Sequence, residues 1–241
     1  MGFRRSAWAV VAAVVLAACQ PVSTPVAGPA IAVMPPPLPD GPLSAEQAAR
    51  NFVAVVARVE PVAEAMCRER NPGSNCDFQI VVDDRPGQPP NAFQTLDRAG
   101  RPIVGFSLAL IADARNVDEI AFVVGHETAH HIAGHIPQVQ RTATTGAVLA
   151  GVLAQASGAT PEAVRAAQQM GATMGARTYA RDFELEADAL GAEIAFRAGF
   201  DPLRGAAFFD RLPDPGDQFL GSHPPNAQRK EIVRRVVAGL R

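Results

Sequence analysis

The chain of 241 residues is 48% hydrophobic and 19% charged, which is typical of a globular protein and excludes an intrinsically disordered one. Its formal net charge of −2 shows no basic excess, so the composition argues against a nucleic acid as partner. The length suffices for one sizeable domain with additional segments.

Residues 1–18 have the pattern of an export signal. A short positively charged start precedes an apolar run, residues 7–18, that is too short for a stable membrane span. The run ends Leu-Ala-Ala before Cys19, which resembles the lipobox of bacterial lipoproteins and implies cleavage before Cys19 and acylation of that residue. The alternative is an ordinary signal peptide with an incidental cysteine. The resemblance to lipoproteins further implies an outer-membrane anchor facing the periplasm, because Gln20 stands where an inner-membrane lipoprotein would carry aspartate.

Residues 19–42 are predicted to form a lipid-anchored tether. Prolines recur throughout this stretch, and they favour extended polyproline II over helix or sheet. At about 3.1 Å per residue, the tether could reach on the order of 70 Å from its anchor. We therefore expect the folded domain to occupy residues 43–241.

The first part of this domain is predicted to contain helices and a small sheet. Ser44 is placed to cap a helix, and Pro61 is expected to separate that helix from a second one ending near Arg70. Strand patterns follow at residues 78–82, 91–95 and 102–106. After Ser107 the pattern is helical, so the fold class is α+β, mostly helical with a small β-sheet.

Two cysteines of this region, Cys67 and Cys76, are expected to form a disulfide. An exported protein meets an oxidising compartment, and the intervening Asn-Pro-Gly-Ser-Asn sequence suits a closed turn. Two free buried thiols are the alternative. Closing so short a loop would contribute roughly 2–3 kcal/mol.

The segment from His126 to His130 carries the strongest chemical signal in the chain. On a helix, residues four apart lie on one face, so the two imidazoles can bind one Zn²⁺. Glu127, directly after the first histidine, is suited to act as a general base. Asn116 and Glu119 form a capping-box pattern that predicts the start of this helix.

The spacing around this motif also separates classes of zinc protease. A metzincin would need glycine and histidine where Ala133 and Ile136 stand. His135 lies nine residues after His126, which places it on the opposite face of a continuous helix. We therefore expect His135 to be a structural hydrogen-bonding residue near the helix end, and His131 to be a surface or packing residue.

Residues 143–156 form a run rich in alanine, valine, leucine and glycine. The run is too short and too rich in glycine for a confident membrane span. We expect a packed core helix, with a membrane-touching or flap-like segment over the active site as the alternative.

A helix predicted from about residue 178 to 198 offers the remaining metal ligand. Glu184 and Asp188 are four residues apart and share a helix face. Glu184 could complete a zinc site through a carboxylate oxygen. Asp188 could accept the free N–H of His126 or His130 and so hold that ring in one orientation.

In combination, these motifs resemble the HtpX-like zinc metallopeptidases, family forty-eight of the metallopeptidases, which includes BepA-type and Oma-type proteases. The resemblance covers roughly residues 91–229, and Ala180 departs from the serine common at its position. The matching features are residues 123–135, Glu184 with Asp188, Asn91-Ala92-Phe93, Arg181, and His223 with Arg229.

This resemblance implies a zincin-type domain with one zinc ion per chain. His126, His130 and Glu184 would bind the metal, and Glu127 would be the general base. Arg181, like Asp188, would support the ligands from outside. A strand edge near residues 91–93 or 104–106 would hold the substrate in extended form.

His223 lies in a predicted loop before the last helix and has three interpretations. It could be an exposed loop histidine, or it could donate a hydrogen bond to a developing oxyanion. It could also be a fourth zinc ligand that closes the site, an arrangement that the resemblance to periplasmic relatives implies.

The predicted function is that of a zinc metalloendopeptidase. We expect it to act on misfolded or misassembled envelope proteins, and to contact the membrane through acylated Cys19. A narrow maturation protease and a periplasmic chaperone or assembly scaffold with a closed zinc site are the alternatives. Glu127 discriminates, because a purely structural metal site has no use for a base there.

Overall fold

A computed structural model describes residues 43–214 and 223–240, so the predicted signal, Cys19 and the tether lie outside the described residues. The predicted α+β fold with mostly helical content is confirmed. In chain order the elements are α1 (Ala45–Arg70), β1 (Gln79–Asp83), β2 (Ala92–Leu96), β3 (Pro102–Ser107), α2 (Leu108–Asp113), α3 (Val117–Ile132), α4 (His135–Ala156), α5 (Pro161–Arg177), α6 (Ala180–Arg197), α7 (Pro202–Gly205), a 3₁₀ turn (Ala206–Arg211) and α8 (Asn226–Leu240).

Helix α1 is continuous, so the predicted boundary at Pro61 is wrong. An interior proline removes one hydrogen bond and crowds the preceding turn, at a cost of about 3 kcal/mol. Pro61 lies on the exposed face, while Val55, Val59 and Ala63 continue an unbroken buried stripe on either side of it. This burial offsets the cost of the proline and keeps the helix intact.

The structure joins Cys67, at the end of α1, to Cys76 by a disulfide, with the two Cα atoms 5.6 Å apart. The loop that it closes docks on α3, where His131 Nε2 lies 2.7 Å from the carbonyl oxygen of Asn75. The His131 ring also meets the edge of Phe78. His131 is thus a packing residue that attaches the disulfide loop to α3.

The sheet has the order β1-β3-β2, with β1 parallel and β2 antiparallel to β3. Because β3 is central, residues 104–106 cannot offer a free edge, and of the two predicted substrate strands only β2 is an edge strand. Phe93 of β2 covers its partner Gly105, where an added Cβ would lie 2.3 Å from the Phe93 ring. Glycine at this position lets the aromatic ring close over the central strand.

The start of α3 is held by polar side chains. The Asn116 side chain accepts the Glu119 N–H at 3.0 Å, as the capping pattern predicts. The Glu119 carboxylate accepts the N–H of Arg115, whereas a capping box would predict the N–H of Asn116. It also receives two hydrogen bonds of 2.7 Å from the Arg211 guanidinium. These bonds connect the beginning of α3 to the 3₁₀ turn after α7.

Helices α3 and α6 touch through their backbones at two glycines. A Cβ on Gly125 would lie 2.6 Å from the Gly191 carbonyl oxygen, and a Cβ on Gly191 would lie 2.7 Å from the His126 nitrogen. No side chain fits between the helices at this point. The contact brings the carboxylates of α6 within reach of the histidines of α3.

Helices α4 and α5 form a hairpin whose members pack chiefly on each other. The expectation of a packed core helix at residues 143–156 is wrong, because four large aliphatic residues of α4 are 57–61% exposed: Val148, Leu149, Val152 and Leu153. Among the described residues, no helix is long and apolar enough to cross a membrane.

Candidate metal centre and cleft

Three predicted ligands meet where α3 crosses α6. His126 Nε2 and His130 Nε2 are 3.1 Å apart. Glu184 of α6 places one carboxylate oxygen 3.4 Å from His130 Nε2 and the other 3.6 Å from His126 Nε2. One donor atom from each residue lies within 4.8 Å of the other two, so the three could share one ion.

The surroundings of both imidazoles fit a metal at this point. His126 uses Nδ1 to contact Asp188 Oδ1 at 3.0 Å, and His130 uses Nδ1 to contact His135 Nδ1 at 2.8 Å. Both Nε2 atoms are thereby directed at each other and at Glu184. Two imidazole nitrogens and a carboxylate are a donor set that zinc prefers, and they leave a fourth position open.

Asp188 is fully buried and is held by Arg229 of α8. Arg229 Nε donates to Asp188 Oδ2 and its Nη2 donates to Oδ1, both at 2.7 Å. Burial opposes the charge of Asp188, but the hydrogen bonds from His126 and Arg229 hold its pKa below the ordinary value. The charged carboxylate can therefore fix the orientation of His126.

Arg229 also links Asp188 to Glu184, one turn earlier on α6. Its Nη2 lies 3.4 Å from Glu184 Oε2, and its guanidinium stacks 4.0 Å from the centre of the Phe209 ring. Burial again opposes ionisation of Glu184, yet the hydrogen bonds from His130 and His223 hold its pKa below the ordinary value. Glu184 is accordingly a carboxylate, the form that a metal ligand needs.

His135 does not lie on the opposite face of α3, because that helix ends before reaching it. Gly134 adopts a left-handed conformation, with φ of 69°, and returns the chain so that His135 contacts His130. His135 Nε2 lies 3.2 Å from Glu186 Oε2, and its ring stacks on Phe183 at 4.4 Å. His135 thus positions His130 much as Asp188 positions His126.

Glu127 lies next to the three ligands and borders open space. Burial raises the pKa of its carboxyl group, and the nearby Glu184 raises it further, while His126 and His130 act against the shift. Within residues 43–214 and 223–240, the Glu127 carboxylate has no hydrogen-bond partner. It is therefore available to exchange a proton with a molecule in the cleft.

Two cavities adjoin Glu127, with volumes of about 470 and 190 Å³, and both are lined by Glu127, Glu184 and His223. The edge strand β2 borders both cavities: Gln94 lines the larger one and Ala92 lines the smaller one. Asn91, just before the strand, also lines the smaller cavity. Two cavities thus border the candidate base.

His223 lines both cavities, with Nδ1 3.0 Å from Glu184 Oε2 and its side chain half exposed. It contacts a candidate ligand and is separate from the group of three mutually close donors. Arg181 lies half-buried in the first turn of α6, and its supporting role stays a prediction. Arg229 contacts both Glu184 and Asp188.

Comparison with known proteins gives a family match over most of the chain. Residues 53–237 match Peptidase family M48. The chain is 34% identical over 129 residues to the putative beta-barrel assembly-enhancing protease of Vibrio cholerae serotype O1, over 51% of this chain and 26% of that protein.

Two further relatives match a similar share of the chain. Identity is 31% over 124 residues with the beta-barrel assembly-enhancing protease of Escherichia coli K12, covering 48% of this chain and 25% of that protein. Identity is 29% over 122 residues with the mitochondrial metalloendopeptidase OMA1 of Arabidopsis thaliana, covering 49% of this chain and 24% of that protein. The chain thus spans about a quarter of the length of these relatives.

Proposed function

This chain belongs to peptidase family M48, and we propose that it is a zinc-dependent endopeptidase for unfolded or misassembled envelope proteins. One observation carries the proposal: His126, His130 and Glu184 converge beside Glu127 in a cleft. Three protein ligands with one open position are the pattern of catalytic zinc sites.

The roles of the residues follow from their positions. Zinc held by His126, His130 and Glu184 would supply Lewis-acid polarisation of a carbonyl and make water more acidic. Glu127 would take the proton of the attacking water and pass it to the leaving amine. Asp188 and His135 would keep the two imidazoles oriented, since each contacts the Nδ1 atom of one ligand.

The cleft suits an extended polypeptide that continues past the cutting point. Two cavities border Glu127, and together they would leave room for chain before and after the cutting point, as an endopeptidase requires. The edge strand β2 borders both cavities and could pair with the substrate backbone. Binding through backbone bonds depends on whether a segment is unfolded more than on its sequence, which supports a role in quality control.

The cellular setting is also part of the proposal. The lipobox-like sequence at Cys19 supports a lipid anchor, and Gln20 supports an outer-membrane location facing the periplasm. Two relatives are named for enhancing beta-barrel assembly, which is consistent with a role in the envelope. The partners would be unfolded envelope proteins and the membrane, contacted through acylated Cys19.

The direct test measures metal content and hydrolysis by the full chain. We expect about one zinc per chain and cleavage of unfolded casein but not of a compact folded protein. A chelator should remove both the zinc and the activity, and added zinc should restore both. Zinc binding without any cleavage, by the wild-type chain or by His223→Ala, would favour the scaffold over the peptidase.

Replacing His223 by alanine is expected to accelerate cleavage of unfolded casein. His223 contacts Glu184 and borders both cavities, so its imidazole occupies the route that a substrate would take across the site. Removing the imidazole should make the uncovered form of the site the major one. We therefore expect kcat/KM to rise roughly several-fold at unchanged zinc content. A fall of roughly 10²-fold would instead identify His223 as an oxyanion donor.

A further inference from the structure

The α4–α5 hairpin carries its large apolar residues on the outside. Val148, Leu149, Val152 and Leu153 of α4 are each more than half exposed. At 100° per residue they cover one continuous face of α4. A helix hairpin stabilised in water would bury such residues against its partner helix.

The inner face of the hairpin is made of small residues instead. A Cβ on Gly146 would lie 2.2 Å from the Gly171 carbonyl oxygen, and a Cβ on Gly175 would lie 2.1 Å from the Thr142 carbonyl oxygen. Gly171 and Gly175 form a G-x-x-x-G pair that lets the two backbones touch. Close contact through small residues, with aliphatic side chains outside, is the packing of helices in lipid.

Two hydroxyls on this face of α4 are satisfied within the helix. Thr144 and Thr145, which are exposed beside Val148, donate their hydroxyls to the carbonyls of Gln140 and Arg141 at 2.8 and 2.9 Å. Their hydroxyl protons therefore need no partner in water. No charged residue occurs in residues 142–161, and Arg141 marks the end of this uncharged stretch.

From these observations we propose that the outer face of α4 docks on the surface of a lipid bilayer, with its aliphatic residues among the upper parts of the acyl chains. The helix cannot span a membrane. It has the form of an element that lies in the interface, apolar toward lipid and connected to a water-exposed body. Arg141 is placed where a cation could reach lipid headgroups.

The size of the face favours a bilayer over a second copy of the chain. Four such side chains expose a few hundred Å², on the order of half of the ~800 Å² per partner that a stable protein interface buries. A bilayer surface sets no such threshold, because it adapts to the apolar face and needs no matching pocket.

Docking would set the distance between the cleft and the membrane. The base of α4 lines the larger cavity through Ile136, Val139 and Gln140. A hairpin lying on the bilayer would thus hold the cleft next to the lipid surface. This contact is independent of acylation at Cys19, because it comes from the folded domain alone.

The test uses the full chain with Cys19→Ser, in which the remaining native cysteines are paired in the disulfide. Val152→Cys places a thiol on the proposed lipid face, and Val53→Cys is the matched control, since Val53 of α1 is 67% exposed. Each thiol is labelled with nitrobenzoxadiazole and mixed with phosphatidylethanolamine–phosphatidylglycerol vesicles, with and without bromine on the acyl chains.

We expect the label at residue 152 to shift to the blue and to lose roughly half of its emission to brominated lipid, because an interfacial face lies ~5–10 Å deep. The label at residue 53 should change little, and Leu149→Glu should abolish quenching at residue 152. Equal or absent quenching at the two labels would overturn the proposal. A blue shift of the residue-152 label without vesicles would also overturn the proposal. A shift that grows with protein concentration would indicate a second copy of the chain. A shift that requires unfolded casein would indicate a substrate-binding surface.

Discussion

Glu127→Gln is expected to lower the rate of casein cleavage by roughly 10²–10⁴-fold while the zinc content stays at the wild-type value. Glutamine keeps the size and polarity of the side chain but cannot take up a proton. The three donors that converge beside it, His126, His130 and Glu184, are left untouched. Metal binding and hydrolysis should therefore separate in this variant.

The matched control is Glu69→Gln on α1, whose side chain is 65% exposed and remote from the cleft. It should keep both zinc and activity. Metal analysis of the purified variants and the initial rate of casein cleavage are the two measurements. Full activity of Glu127→Gln would remove Glu127 from the mechanism, and loss of zinc would show that it supports the metal instead.

Arg229→Leu is expected to reduce the free energy of unfolding by about 3–5 kcal/mol, because it leaves a buried carboxylate without its partner. Asp188 is fully buried and receives two bonds of 2.7 Å from Arg229. Arg229→Lys should recover only part of the loss, since an ammonium cannot make the paired contact. Urea unfolding followed by circular dichroism gives the comparison.

Two further variants make the cause of this loss testable. Arg235→Leu, on the same helix with a side chain 71% exposed, should change stability by less than ~0.5 kcal/mol. Asp188→Leu combined with Arg229→Leu should regain much of the stability, because no unpaired charge remains. It should still bind zinc roughly 10–100-fold more weakly, because His126 loses its orienting carboxylate. A loss below ~1 kcal/mol in Arg229→Leu would contradict the argument.

Local patterns predicted much of this molecule. The three strands lie within one residue of their predicted positions, since alternation and turn residues are short-range signals. The spacing of four places His126 and His130 on one helix face and Glu184 and Asp188 on another, and these pairs meet in the structure. Periodicity predicted each pair, and the resemblance to a family connected them.

The wrong predictions share a cause. A residue pattern along one helix does not show where the chain turns or which other elements pack against that helix. His135 contacts His130 because the chain reverses at Gly134, whereas the rotation argument assumed a helix that continues. Apolar residues 143–156 were predicted to pack in the core, yet composition alone does not tell a core face from an outer face. Pro61 was predicted to end a helix that buried packing keeps intact.

Contacts between distant segments left a weaker signal. The hydrogen bonds from Arg229 to Asp188 join residues far apart in the chain, and no spacing rule connects α8 to α6. The resemblance singled out Arg229 as a matching residue but assigned it no role. Its partners lie on a different helix, so the sequence pattern of α8 alone does not predict them.

The touching glycines Gly125 and Gly191 make the separation of the two ligand-bearing helices a property of the main chain alone. Apolar residues elsewhere in the core can therefore exchange for others of similar volume without carrying the ligands apart. The fold therefore tolerates substitutions among apolar core residues better than substitutions at the two glycines of the helix crossing. Substitution should accordingly be tolerated at apolar core positions away from the ligands, and nearly forbidden at Gly125 and Gly191, where the backbones meet.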